Sequence, residues 1–182
     1  FLLLDSLEDV VIHEVFVGGK SVALRGRCNP LQQNTVTPSK KIVDSIQMPT
    51  ITIDDLRLEI PDGKAANIIS IIPNSLVTNH LIREVDTENG LFQATVEKDY
   101  LKLAVIERHR KTGNIGLGII HGLGLKDGAI ASTVAHDSHN IIATGTNDTD
   151  LLVAINSIEK FKGGLVVVHA GKVIASLPLP IA

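Results

Sequence analysis

The hydrophobic residues of this chain come in runs too short for most helices, and this constrains the fold more than any other feature. From residue 66 onward the apolar stretches are Ala66 to Ile72, Leu76 to Ile82, Leu91 to Val96, Leu101 to Glu107, Asn114 to Ile120, Ala129 to Ala135 and Ile141 to Thr144. Each has strand length, and glycine or polar residues interrupt them. The exception is Asp148 to Lys162, where Leu151, Leu152, Ala154, Ile155, Ile158 and Phe161 recur at helical spacing. Asn147 supplies an N-cap with Asp150 three residues on, and Lys160, Lys162 and Gly163-Gly164 supply the stop. A hairpin of Leu165 to His169 and Lys172 to Leu177, turning at Ala170-Gly171, follows the helix. Before residue 40 a second hairpin spans Val10 to Leu24, because Gly18-Gly19 can take the positive φ that a tight turn demands. Many short strands and one helix predict an α+β fold. Its expected form is a hairpin unit followed by a mixed or antiparallel sheet domain with few helices.

With 182 residues and 44% hydrophobic content the chain can bury a core, and its size suits one or two domains. A complete (β/α)8 barrel, at about 250 residues, does not fit. Between Arg25 and Ser39 the composition turns to Asn, Gln, Thr and Pro, with Pro30 and Pro38 unable to donate to a ladder. This predicts an irregular connection and a boundary near residues 40 to 60, giving units 1–50 and 51–182. The net charge of -3, with basic and acidic residues mixed, offers no field for phosphate backbones, so nucleic acid is not an expected partner. No run approaches the roughly 20 apolar residues of a bilayer span, and the opening Phe1 to Leu4 lacks the form of a signal peptide. A single cysteine, Cys28, allows neither an internal disulfide nor a cysteine-rich zinc site, which fits a cytoplasmic protein. Phe1 in place of an initiator methionine and the apolar end at Leu177 to Ala182 suggest a piece of a longer polypeptide.

The densest cluster of chemical function is His136-Asp137-Ser138-His139-Asn140, set between apolar runs. A histidine beside Asp137 can hold or shuttle a proton near neutrality. His136 and His139 would share a face on a helical turn and could then ligate a metal, but the segment reads as strand-to-loop and lacks the glutamate of the helical zinc motif. The ordinary alternative is a polar loop whose Asp137 and Asn140 bond nearby backbone. Glu107-Arg108-His109-Arg110 closes an apolar strand. It is either a solvated turn or, with Glu107 and His109 at i and i+2 on one strand face, a second wall of the same cleft. Asn79-His80 carries the same ambiguity, whereas His13, His121 and His169 are expected to be structural. Gly116-x-Gly118-x-x-His121 lacks the third glycine of a dinucleotide fingerprint, no Walker sequence occurs, and no Gly-x-Ser-x-Gly elbow exists.

The string GAIASTVAHDSHNIIATG at 128–145 resembles the late region of bacterial adenine deaminases of the amidohydrolase superfamily. Similar resemblance extends through Ala66 to Pro73, Val77 to Leu81, Val105 to Gly113, Ile115 to Gly118, Gly163 to Val168 and Leu177 to Ala182, in the same order. Leu2 to Ala23 resembles the β-sandwich strands that follow the catalytic barrel in that superfamily. The resemblance implies that residues 1–50 close a β-sandwich and that 51–182 form the family's C-terminal domain. It implies an enzyme that hydrolyses adenine to hypoxanthine and ammonia, acting as a homo-oligomer. Its divalent metal, manganese or iron, would be held in a barrel that this chain lacks, so no metal ligand is assigned here and the piece alone is expected to be inactive. On that basis His136, Asp137 and His139 are the expected catalytic, cleft-lining residues, and Asn140, Glu107, Arg108 and His109 the expected substrate-binding ones. The competing expectation is a non-catalytic module for ligand binding or subunit contact.

Overall fold

The computed structural model describes residues 1–29 and 37–181, and it divides the chain into two compact units, Phe1–Pro38 and Ser39–Ala182. The first is an antiparallel meander of β1 (Leu2–Ser6), β2 (Val11–Val17), β3 (Lys20–Leu24) and β4 (Arg27–Cys28). Val17 pairs with Lys20, so Gly18 and Gly19 form the two-residue loop, both at positive φ (57° and 76°) as the expected turn requires. The Phe1 ring stacks on Phe16 with centroids 4.6 Å apart. No described residue of this sheet is buried, and Leu2, Leu7, Val11 and Val17 are exposed. The irregular connection expected around Pro30 lies outside the described residues.

The second unit begins earlier than residue 51. Met48 and Ile51 are buried in its core, and the Gln47 amide donates to the Arg108 carbonyl at 2.6 Å, so residues from Ser39 onward, including the short helix α1 (Lys40–Val43), go with it. Its centre is an eight-stranded mixed sheet. The strands in chain order are β5 (Ala65–Ile71), β6 (Thr78–Glu84), β9 (Leu101–Ile106), β10 (Ile115–His121), β11 (Ala129–Ser132), β12 (Ile141–Gly145), β13 (Gly164–His169) and β14 (Lys172–Pro178). They lie side by side as β14-β13-β11-β12-β9-β10-β5-β6, and only β10 and β5 run parallel. A separate two-stranded ribbon joins β7 (Thr87–Glu88) to β8 (Leu91–Phe92).

The helix α2 (Asp148–Phe161) starts where its sequence predicts. Asn147 Oδ1 accepts the Asp150 amide at 2.8 Å, and the Asp150 carboxylate answers Asn147 Nδ2 at 3.0 Å. Leu151, Ala154, Ile155 and Ile158 are fully buried against Ala104, Ile106, Ala129, Ala131, Ile141, Ala143, Val166 and Val168. A smaller core of Ile60, Ile68, Phe92 and Ile119 lies under β5 and β10. Among the described residues no helix is long and apolar enough to cross a membrane.

Three strand expectations shift for local reasons. The run at 76–82 pairs as Thr78–Glu84, because the Ser75 amide bonds Ile72 O and the Val77 amide bonds Ser75 Oγ, which finishes a turn first. The run at 91–96 yields only Leu91–Phe92, after which Thr95 bridges back to Tyr100. The run at 129–135 leaves the sheet after Ser132, whose hydroxyl accepts the Val134 amide at 2.9 Å.

Candidate functional site

The segment between β11 and β12 carries the polar cluster. Its first residue, Thr133, is fully buried and locked to the start of β13. The Thr133 amide donates to Gly164 O at 3.0 Å, and the Gly164 amide donates to Thr133 Oγ1 at 2.9 Å. Gly164 has φ of 131°, and a Cβ there would stand 2.1 Å from Leu177 O, so only glycine admits this clamp. The chain then makes one turn over 136–138, closed by the His139 amide donating to Ala135 O at 2.9 Å. His139 itself takes positive φ (50°) to return the chain to β12.

A buried arginine supports this turn from beneath. Arg108 stands two residues beyond the end of β9 and is 3% exposed. Its Nε donates to the His139 carbonyl and its Nη1 to Ser45 Oγ at 3.2 Å. Burial lowers the guanidinium pKa, yet arginine stays charged in any folded protein. Beside it His109 Nε2 lies 3.0 Å from Ser138 O. A carbonyl can only accept, so this nitrogen carries the proton. The two segments singled out from the sequence, 107–109 and 136–140, are therefore joined.

Within this junction the seven residues divide by what they touch. His136 and Asp137 project into solvent, 98% and 95% exposed, with His136 Nδ1 and Asp137 Oδ1 3.0 Å apart. Asn140 is half-buried and lines a surface depression of about 450 Å³ together with Glu107, Asn114 and Gly116. The Glu107 carboxylate is already occupied. It accepts the amides of His109 at 2.5 Å, Arg110 at 2.9 Å and Thr112 at 3.1 Å, and the Thr112 hydroxyl at 2.9 Å. Desolvation pushes its pKa up, but these donors pull harder and hold it at about 2. The expectation that Glu107 and His109 share a strand face fails. β9 ends at Ile106, and at the rim of the depression Glu107 turns its carboxylate onto the amides of the turn that follows. Arg108 and His109 likewise reach backbone carbonyls of the loop. Ser138, Ser45 and Thr133 complete the junction; Ser138 lay in the polar string, but Ser45 and Thr133 had no distinguishing signal.

Among the described residues no three His, Cys, Asp or Glu side chains come together as metal ligands. His136 and Asp137 supply only two adjacent donors on an open surface, short of the three or four protein ligands of a divalent site. The described residues of this turn do not fit a metal. His80 Nε2 is 2.8 Å from Asn67 Oδ1, and His121 and His169 pair with Ser70 and Asp127.

Fold and loop together define an α+β domain whose sheet is backed by one helix and which displays a firmly based polar turn at the ends of two central strands, β11 and β12. The chain belongs to the family described as the adenine deaminase C-terminal domain, which it matches over residues 75–182. It is 48% identical over 182 residues to an adenine deaminase of Geobacillus kaustophilus and 44% identical over 180 residues to one of Halalkalibacterium halodurans. It is 43% identical over 181 residues to adenine deaminase 2 of Carboxydothermus hydrogenoformans. These alignments take in 99 to 100% of this chain but only 31% of each relative.

Proposed function

We propose that this chain is the C-terminal part of a cytoplasmic adenine deaminase that hydrolyses adenine to hypoxanthine and ammonia, and that it self-associates as a homo-oligomer. The reading rests on one observation beyond the family itself. His136 and Asp137 stand fully in solvent on a turn fixed at both ends, by the Thr133–Gly164 clamp and by Arg108. Fixing the base while exposing the tip positions a group toward something outside the domain. The manganese or iron that such an enzyme uses to activate water would be held elsewhere than on these residues.

On this reading Asp137 orients the imidazole through Nδ1 and leaves Nε2 to hold or deliver a proton at the bound purine. Asn140, at the rim of the neighbouring depression, offers an amide donor and acceptor to a base edge. Arg108, His109 and Glu107 act as positioning residues. In a full-length deaminase carrying this chain, His136→Ala should lower kcat for adenine about 100-fold or more and leave Tm unchanged, since the side chain touches only Asp137. Turnover within twofold of wild type would refute a catalytic role. A matching fall in Tm would assign His136 to folding.

A further inference from the structure

The depression beside the polar turn is built where three neighbouring strands meet their loops. Ile106 of β9 pairs with Ile115 on one side and Ile141 on the other, so Asn114 and Asn140 stand one position further on, flanking Glu107 and about 10 Å apart. All three line the depression, together with Val105 and Gly116. Neither carboxamide has a hydrogen-bond partner among the described residues, although both backbone amides are bonded, to Thr112 Oγ1 at 3.3 Å and to Ser138 Oγ at 3.4 Å. The Glu107 carboxylate between them is occupied by the turn amides. Two side chains that each carry a donor and an acceptor are thus left at one hollow.

The fold does not require glycine at 116. Its φ lies outside the left-handed region, and a Cβ there would meet nothing closer than Val105 O at 4.0 Å. Glycine within a strand costs stability, and one recurrent reason for it is a ligand that comes close to the backbone. Here a side chain would take up part of the depression. Apart from Glu107 no charged residue lines it among the described residues. A phosphate would find an anion there and no cation, whereas a neutral, flat, hydrogen-bonding ring suits the lining.

We propose, resting on the reading of the turn given above, that this depression holds the free base: the ring lies against the Gly116 backbone, Asn140 takes its reacting edge and Asn114 the opposite edge. A carboxamide matches the N6 and N7 positions of adenine with two hydrogen bonds. Asn140 ends the loop that carries His136, which puts that edge beside the proton-handling group. Across the ring lie N3, an acceptor, and N9–H, a donor in the free base, and Asn114 can answer both at once. In a nucleoside or nucleotide the sugar replaces that hydrogen, so Asn114 loses one bond and meets the ribose instead. Asn114 is thereby the residue that selects the free base, and Gly116 the floor that admits it.

Titration calorimetry and steady-state kinetics on a full-length deaminase carrying this chain test this, with adenine and 9-methyladenine as probes. Asn114→Ala should raise Kd and KM for adenine about 10-fold, with kcat within about twofold of wild type, and should barely change the binding of 9-methyladenine, which lacks the N9–H bond from the outset. Gly116→Val should raise both constants at least as far with no fall in Tm, because no neighbour crowds the added Cβ and valine favours a strand. Gly118→Val, on the same strand but lining a different depression, should leave both constants unchanged. Unchanged adenine binding in the Asn114 and Gly116 variants would overturn the subsite, and a kcat still lowered by His136→Ala would leave the catalytic reading standing without it. Weakened adenine binding in those variants with kcat indifferent to His136→Ala would keep the subsite and sink the role of His136. Equal losses for adenine and 9-methyladenine in Asn114→Ala would overturn the selection at N9. Should Gly116→Val fail to fold, Asn114→Ala alone decides.

Discussion

Two cations are buried along β9, and they are satisfied in opposite ways. Lys102 donates to Asp148 Oδ1 at 2.5 Å and to Leu56 O at 2.8 Å, so its charge is cancelled by a carboxylate at the start of α2. Arg108, just past the other end, has only neutral acceptors, His139 O and Ser45 Oγ, and no carboxylate in ion-pair range among the described residues. One end of the strand is electrically closed and joins the sheet to its helix. The other keeps a net positive charge beneath an exposed loop. A buried charge without a counter-ion is costly, and here its fork geometry holds two segments, 44–47 and 138–140, that no ladder connects. The Lys102 end therefore ties the sheet to its helix. The Arg108 end serves the loop's position, which is where a functional constraint would lie.

Substituting each cation with methionine tests the contrast, since methionine keeps the stem's packing and removes the charge. Arg108→Met should produce the largest change. It strands the His139 carbonyl and the Ser45 hydroxyl and frees the turn, and we expect a loss of about 3 kcal/mol by urea unfolding. Hydrogen exchange at the His139 amide should rise with it. Lys102→Met should cost less, about 1 to 2 kcal/mol, because Asp148 is 35% exposed and can be hydrated, leaving Leu56 O as the main loss. The loop amides should stay protected in that variant. Equal costs with equal loop exchange would erase the distinction between the two ends.

The same contrast marks what the sequence makes legible. The α2 end could be read because Asn147, Asp150 and the Leu151 to Ile158 periodicity are all local, and the cap forms as they specify. The Gly18-Gly19 and Ala170-Gly171 turns were legible for the same reason. Strand order was not, since β12 enters between β11 and β9 and β5 runs parallel to β10, pairings that no local pattern encodes. At the site the polar string at 136–140 stands out by composition, and Arg108 and His109 bring the charged segment at 107–109 against it. The roles within 107–109 were hidden. A charged triplet after a strand has the same composition whether it lines a cleft or folds into its own turn, and only the positions of backbone donors decide between them.

Glu107 gives the smallest and most specific test of that end. Its folded pKa of about 2 lies below the ordinary 4.5, so the turn is stabilised by the ionised form. A carboxyl with a depressed folded pKa contributes fully above its unfolded value and loses the contribution as pH falls through the folded one. The stability it supplies should thus be intact above pH 4.5 and should fade between there and about 2. Glu107→Gln removes the titration but keeps one acceptor oxygen for the His109, Arg110 and Thr112 donors. The variant should be slightly less stable than wild type near neutrality, and the two stability curves should converge as the pH is lowered through this window. Because the turn carries Arg108 and His109, its acid weakening should also release the Ser138 and His139 carbonyls, raising loop exchange before global unfolding. Curves that run parallel down to pH 2 would mean that the Glu107 carboxylate does not hold this end together.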